Sequence, residues 1–187
     1  MKFDTVDMRR WLEKNFSARP GPMKIIISPL IGGLNWTTLY KAETRMWLAP
    51  PKIDSEQVSQ YQKILSAYSI FTELDHSYVN PFTKVIMQNV EKMFADIDDW
   101  ATKNTGASDY STPELQFNEY MTWSVYLMYA SDRLNDEDFA KLNSAIVKFM
   151  SDQRGFKKFS EFNNKALDLY RSRQISAEQV MKTLVSG

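Results

Sequence analysis

Five consecutive residues, Thr72-Glu73-Leu74-Asp75-His76, are where residue type and spacing in this chain could do chemistry. On a helix His76 lies one turn beyond Thr72, while Glu73 projects from the polar flank roughly 60° away from His76. A glutamate and a histidine so placed are the second half of His-Glu-x-x-His. In that motif two imidazoles at i and i+4 hold zinc, and the glutamate takes a proton from the metal-bound water. Thr72 stands where the first imidazole belongs, and His76 is the only histidine in the chain. Glu119 is the candidate third ligand. It sits in a segment, Phe117 to Ala130, that is apolar nearly all round, where a carboxylate must be paired, protonated or ligating. The plain alternatives are a half-buried histidine with an incidental acid neighbour and a Glu119 held in a salt bridge.

The elements that must position these residues follow from punctuation and period. An amphipathic helix, capped at Asp4 or Thr5 and carrying Phe3, Met8, Trp11, Leu12 and Phe16, ends at Arg19-Pro20-Gly21-Pro22. Three short strands follow, Met23 to Ser28, Asn35 to Tyr40 and Glu43 to Ala49, separated by Pro29, Gly32-Gly33 and a tight Lys41-Ala42 link. Pro50-Pro51 closes the sheet, and the remainder is helical in period. The spacing predicts a helix from Ser55 to Val79, stopped by Asn80-Pro81, with His76 on its buried edge. A second is expected from Thr83 to about Asn104, with Ile86, Val90, Met93, Ile97 and Trp100 in a stripe. Thr112-Pro113 opens a third, to about Ser131, and Asn135 before three acids opens a fourth. Two more cover Phe159 to Tyr170 and, from the capping box Ser176-x-x-Gln179, the run to Leu184. Strands collected early and helices after them make an α+β chain. It is expected to be one domain: residues 1–54 as helix plus small sheet, 55–131 as motif helices and 132–187 as C-terminal helices.

Composition removes whole classes of function. The chain has 187 residues, 43% of them hydrophobic, enough for a sizeable core. Without cysteine there are no disulfides, thiolate metal sites or thiol catalysis, and one histidine cannot build a three-imidazole site. Twenty-three basic residues balance twenty-three acidic ones, so no net charge draws the chain to nucleic acid or anionic membrane. The balance is uneven along the chain. Residues 1–54 carry nine basic and five acidic groups, 55–143 six and fourteen, and 144–187 eight and four, which reads as solvated helix faces. No run is long enough to span a membrane, and the charged Met1 to Phe16 segment is not a signal peptide.

The stretch Glu73-Leu74-Asp75-His76-Ser77-Tyr78-Val79-Asn80-Pro81, with Ile26-Ile27-Ser28-Pro29-Leu30-Ile31-Gly32-Gly33-Leu34-Asn35-Trp36 upstream, resembles a bacterial family of domains of unknown function that carries a zincin-like metallopeptidase signature. The likeness covers roughly residues 3 to 130, and His-Ser-Tyr-Val-Asn-Pro is its most specific piece. It implies a zincin-like fold, Glu73 as general base, His76 as second zinc ligand and Glu119 as third, with Thr72 at the lost first ligand. Family members are generally exported, so the resemblance also implies an exported or periplasmic protein whose signal has been removed.

The departure outweighs the match. A neutral threonine hydroxyl is a poor substitute for imidazole, and two remaining ligands lower zinc affinity by orders of magnitude. Asp75, projecting about 100° from His76, reads as a supporting acid rather than a replacement ligand. Without a metal Glu73 has no activated water, so no cofactor is expected in this chain. The expected function is that of a degenerate, inactive relative that keeps a cleft for an extended peptide or a protein partner. Its rivals are an active zinc-dependent hydrolase with an atypical metal site and a helical interaction domain with no metal site. Other motifs carry less. Gly32-Gly33 lacks the remainder of a phosphate loop, and Asp96-Ile97-Asp98-Asp99 and Asn135-Asp136-Glu137-Asp138 lack EF-hand spacing. Nothing fixes the separation that Glu73, Asp75 and Glu119 would need as paired glycosidase acids. The aromatics Phe156, Phe159, Phe162 and Tyr170 among the C-terminal basic residues have core rather than nucleic-acid spacing.

Overall fold

A computed structural model describes residues 4–32, 35–50 and 59–186. The chain falls into two compact units, Met1–Tyr78 and Val79–Gly187.

In the first unit the sequence punctuation acts as read. Asp4 caps helix α1 (Thr5–Asn15) by accepting from the Asp7 backbone N–H at 2.9 Å, worth about 1 kcal/mol. Met8, Trp11 and Leu12 form its buried stripe; Phe3 lies outside the described residues. The strands are β1 (Met23–Ile27), β2 (Trp36–Tyr40) and β3 (Glu43–Leu48), all within one residue of their expected bounds at either end. Sheet order is β1-β3-β2, with β1 parallel and β2 antiparallel to the central β3. Lys41 and Ala42, both at positive φ (46° and 63°), make the two-residue connection from β2 to β3. The face of β3 bearing Thr44, Met46 and Leu48 is buried. The other face carries Trp47, stacked on Trp36 at 5.7 Å, and Arg45, which lies 4.0 Å over the Tyr40 ring and pairs with Glu43.

Helix α2 (Gln60–Val85) begins in this unit and corrects two expectations. Any start near Ser55 lies outside the described residues. The helix is not stopped at Asn80-Pro81 but runs through Pro81. Proline removes one backbone donor, and Pro81 is exposed on the helix surface, where its ring meets no packed neighbour element that would end the helix. The buried face is also rotated from the expected one. It is centred on Ile64, Ala67, Phe71, Leu74 and Tyr78, because α1 packs there, Trp11 against Phe71 (6.0 Å) and Phe16 against Tyr78 (5.9 Å). His76 is therefore half-buried rather than on the core edge, while Asp75 is fully buried.

The second unit is helical apart from an isolated antiparallel bridge between Ala101 and Phe156. The expected Thr83 to Asn104 helix is instead the end of α2, a short α3 (Met87–Met93) and a 3-10 turn at Ile97–Asp99. Ile86 with φ −106° and ψ 17° breaks the run, and the Asp96 carboxylate, accepting from Asp98 N–H, offers the backbone a local alternative. Of the expected stripe, Val90 and Trp100 are buried. Helix α4 (Pro113–Ser131) starts on the Thr112 cap and is buried at every residue from Gln116 to Ala130. Around it stand α3, α5 (Asp136–Lys148, capped by Asn135), α6 (Phe159–Arg173) and α7 (Ala177–Ser186). The Ser176–Gln179 capping box forms both of its bonds, at 2.9 and 3.2 Å. The core is aromatic: Tyr120 meets Trp100, Phe156 and Phe162 edge-on at 5.2–5.4 Å. Phe156, Phe159 and Phe162 are buried here as their spacing indicated. A π-helical stretch, Phe149–Gln153, follows α5 and had no signal in the sequence.

Candidate functional site

Thr72, at the position of the missing imidazole, is buried, and its hydroxyl donates to the Tyr68 carbonyl one turn back at 3.0 Å. That bond turns Oγ1 into its own helix, the usual satisfaction of a mid-helix threonine.

Glu73, the candidate general base, faces the sheet. The Thr37 hydroxyl on β2 lies 2.7 Å from its Oε2 and 2.8 Å from its backbone carbonyl. One turn on, the Ser77 hydroxyl lies 3.5 Å from that of Thr44 on β3. Glu73 and Ser77 are four residues apart and so share one helix face. Together they make the polar seam between α2 and the sheet. Sequence reasoning missed this partner: Thr37 is 36 residues away and became readable only once the strand order was known.

Tyr78 lies on the same helix, one residue beyond Ser77. Burial pushes its hydroxyl up to about 12, Glu13 adds to the rise, and the Arg9 and Arg19 guanidinium groups oppose it.

Glu119 on α4 is 5% exposed. Its Oε1 accepts from Trp123 Nε1 at 2.8 Å and pairs with the Arg154 guanidinium, which in turn donates to the Tyr110 hydroxyl at 2.9 Å. Arg154 lies between the rings of Tyr110, Trp123 and Phe156, at 5.1–5.6 Å. Burial, the largest single influence, would lower its pKa; Glu119 and the Tyr110 hydroxyl together overcome that and hold the guanidinium above its ordinary value. The backbone on either side of this arginine is anchored too, by Ala107 N–H to the Arg154 carbonyl (2.8 Å) and Thr102 N–H to the Gly155 carbonyl (2.9 Å). Gly155 has φ +84°, and a Cβ there would run into Thr105. The salt-bridge alternative for Glu119 is thus realised, with a partner that sequence spacing did not reveal.

Zinc, which the resemblance implies, fits these donors poorly. The Thr72 hydroxyl and the Glu119 carboxylate are both engaged elsewhere, and among the described residues no three His, Asp or Glu side chains form a group able to hold a metal. A separate open groove of about 550 Å³ lies in the second unit, between Phe82, Val85, Ile86 and Asn89 on one side and Glu178 and Lys182 on α7. Thr72, Glu73, His76 and Glu119 are not among its lining residues. No helix among the described residues is long and apolar enough to cross a membrane. No protein-family model, curated protein or solved structure matches the chain.

Proposed function

We propose that this chain is a catalytically inactive relative of zincin-like metallopeptidases, retained as a protein- or peptide-binding α+β domain. The observation that supports it most is the inward hydroxyl of Thr72, which supplies a helix hydrogen bond where a peptidase would supply a zinc ligand. The Thr37–Glu73 contact agrees with it, since a glutamate meant to activate water is here joined to an edge strand. An exported or periplasmic location belongs to the same proposal, through the resemblance alone.

A second reading, a helical interaction domain in which Glu73 and His76 are incidental, is favoured by the Glu119–Arg154 pair, which accounts for that carboxylate without any metal.

Zinc affinity, measured by competition dialysis on the full chain and on Thr72→His, separates the readings. The degenerate-zincin reading expects weak, sub-stoichiometric zinc in the native chain and binding tighter by orders of magnitude after Thr72→His, lost again on His76→Ala. If neither chain binds, the zincin frame is wrong and the helical reading stands. Stoichiometric zinc in the native chain, with peptide hydrolysis abolished by Glu73→Gln, would overturn both.

A further inference from the structure

The free edge of β2 is built to receive a strand. Thr44 N–H bonds the Pro22 carbonyl and Ser28 N–H bonds the Leu48 carbonyl, so Thr44, Met46 and Leu48 turn their backbone polar groups toward β1. Alternation then turns Glu43, Arg45 and Trp47 toward β2, where they pair with Tyr40, Thr38 and Trp36. Thr37 and Leu39 are left with their N–H and C=O groups pointing out of the sheet, and β2 has no other neighbour among the described residues. The opposite edge, β1, contains Lys24 and is bracketed by Pro22 and Pro29, the usual guards against strand addition. The sequence of β2, Trp-Thr-Thr-Leu-Tyr, has neither charge nor proline.

Leu39 makes the edge more unusual. It shares a sheet face with buried Met46 and Thr44, the face that α2 covers, and is nevertheless 76% exposed. Tyr40 and Trp36 on the other face are 48% and 38% exposed.

We infer that the occupant of this edge is a second copy of the chain, joined through an antiparallel β2–β2 pair whose two-fold axis passes through Thr38. In that register Thr37 stands opposite Leu39 of the second copy, the two exchanging the outward backbone bonds. Trp36 meets Tyr40 of the second copy, and Thr38 meets itself. No charge faces a like charge anywhere in the pair, and the result is a six-stranded sheet with both copies of α2 on one face and Leu39 in the gap between them. With about 150–250 Å² for each aromatic side chain and about the lower figure for leucine, the exposed parts of Leu39, Tyr40 and Trp36 offer roughly 250–330 Å² per copy, about a third to two-fifths of the ~800 Å² of a standard interface. The dimer is therefore weak and concentration-dependent. This inference goes beyond the proposed function and is independent of whether any metal binds.

Sedimentation velocity on the full chain with chelator present, between about 10 μM and 1 mM, is expected to show a monomer passing to a dimer. Leu39→Lys, at an exposed position that leaves the fold intact by circular dichroism, removes the transition. Thr38→Cys fixes the register: directly opposed, non-hydrogen-bonded residues lie at about 4.5 Å between Cα atoms, within disulfide reach, and the chain has no other cysteine. In a glutathione buffer Thr38→Cys is expected to cross-link about tenfold or more faster than Ser160→Cys on exposed α6 surface, because pairing raises the local thiol concentration. A chain that stays monomeric throughout, or a Thr38→Cys variant that couples no faster than Ser160→Cys, overturns the inference. So does a monomer whose edge instead takes an unrelated extended peptide. Because none of these readouts involves zinc, their failure is distinct from failure of the zincin reading.

Discussion

The Thr37 hydroxyl on β2 lies between the Oε2 and the backbone carbonyl of Glu73 on α2, 2.7 and 2.8 Å away. A single side chain therefore ties the edge strand of the sheet to the helix that carries the motif. Thr37→Val keeps the shape and removes the donor, and it is expected to cost about 1–2 kcal/mol, because a half-buried carboxylate loses a hydrogen bond. Glu73→Gln keeps an acceptor for the same hydroxyl and is expected to cost less than about 1 kcal/mol. Urea unfolding of both variants checks the order.

Glu119 and Arg154 are a buried pair, so removing one partner strands the other. Glu119→Gln is expected to lower stability by about 3–5 kcal/mol, and the double change Glu119→Gln with Arg154→Met to recover a large part of it. Equilibrium unfolding of the native chain, Glu119→Gln, Arg154→Met and the double variant in a metal-free buffer measures the coupling. A Glu119 that mattered only as a metal ligand would leave metal-free stability unmoved.

The β2–β3 connection uses Lys41 and Ala42 where positive φ favours glycine and asparagine. Ala42→Gly is expected to raise stability by up to about 1 kcal/mol, since relief of left-handed strain exceeds the extra entropy of glycine in the unfolded chain. A higher urea midpoint with an unchanged slope is the signature.

Alkaline unfolding follows from the tyrosines Tyr78, Tyr110 and Tyr120, all raised by burial. Burial pushes Tyr78 and Tyr110 up to about 12, with Glu13 and Glu119 respectively adding to the rise. The unfolded hydroxyls ionise near 10. Above that pH the unfolded chain releases protons that the folded chain still holds, so stability is fully present below about pH 10 and falls as pH rises toward 12. Tyr78→Phe removes its share, and the urea midpoint between pH 9 and 11.5 should then drop less steeply than in the native chain.

Much of this fold is legible in local sequence signals. β-Branched and aromatic runs between proline and glycine gave the three strands, and side-chain caps at Asp4, Thr112, Asn135 and Ser176 gave four helix starts, because both signals are local. Non-local competition hid the rest. Pro81 reads as a stop, yet α2 continues through it, and His76 was expected on the buried edge although α1, some sixty residues earlier, covers a neighbouring face. At the candidate site, Glu119 was correctly expected to need a partner, but Arg154 lies 35 residues on, beyond a π-helical turn that breaks any helical count.

The sheet order has a kinetic consequence. Among the described residues β1 pairs only with β3, the last of the three strands in the chain, so β1 has no strand partner there until residues 43–48 have turned back on β2. The hairpin closes through a two-residue link and belongs to the microsecond class of events, whereas β1 must close a loop of about twenty residues to find its place. Substitutions in the hairpin should thus slow refolding, while those in β1 should mainly hasten unfolding. As the chain grows from its N-terminus, Ile25-Ile26-Ile27 waits unpaired through the synthesis of the next two strands, and the prolines and lysine around it guard that interval as well as the finished edge.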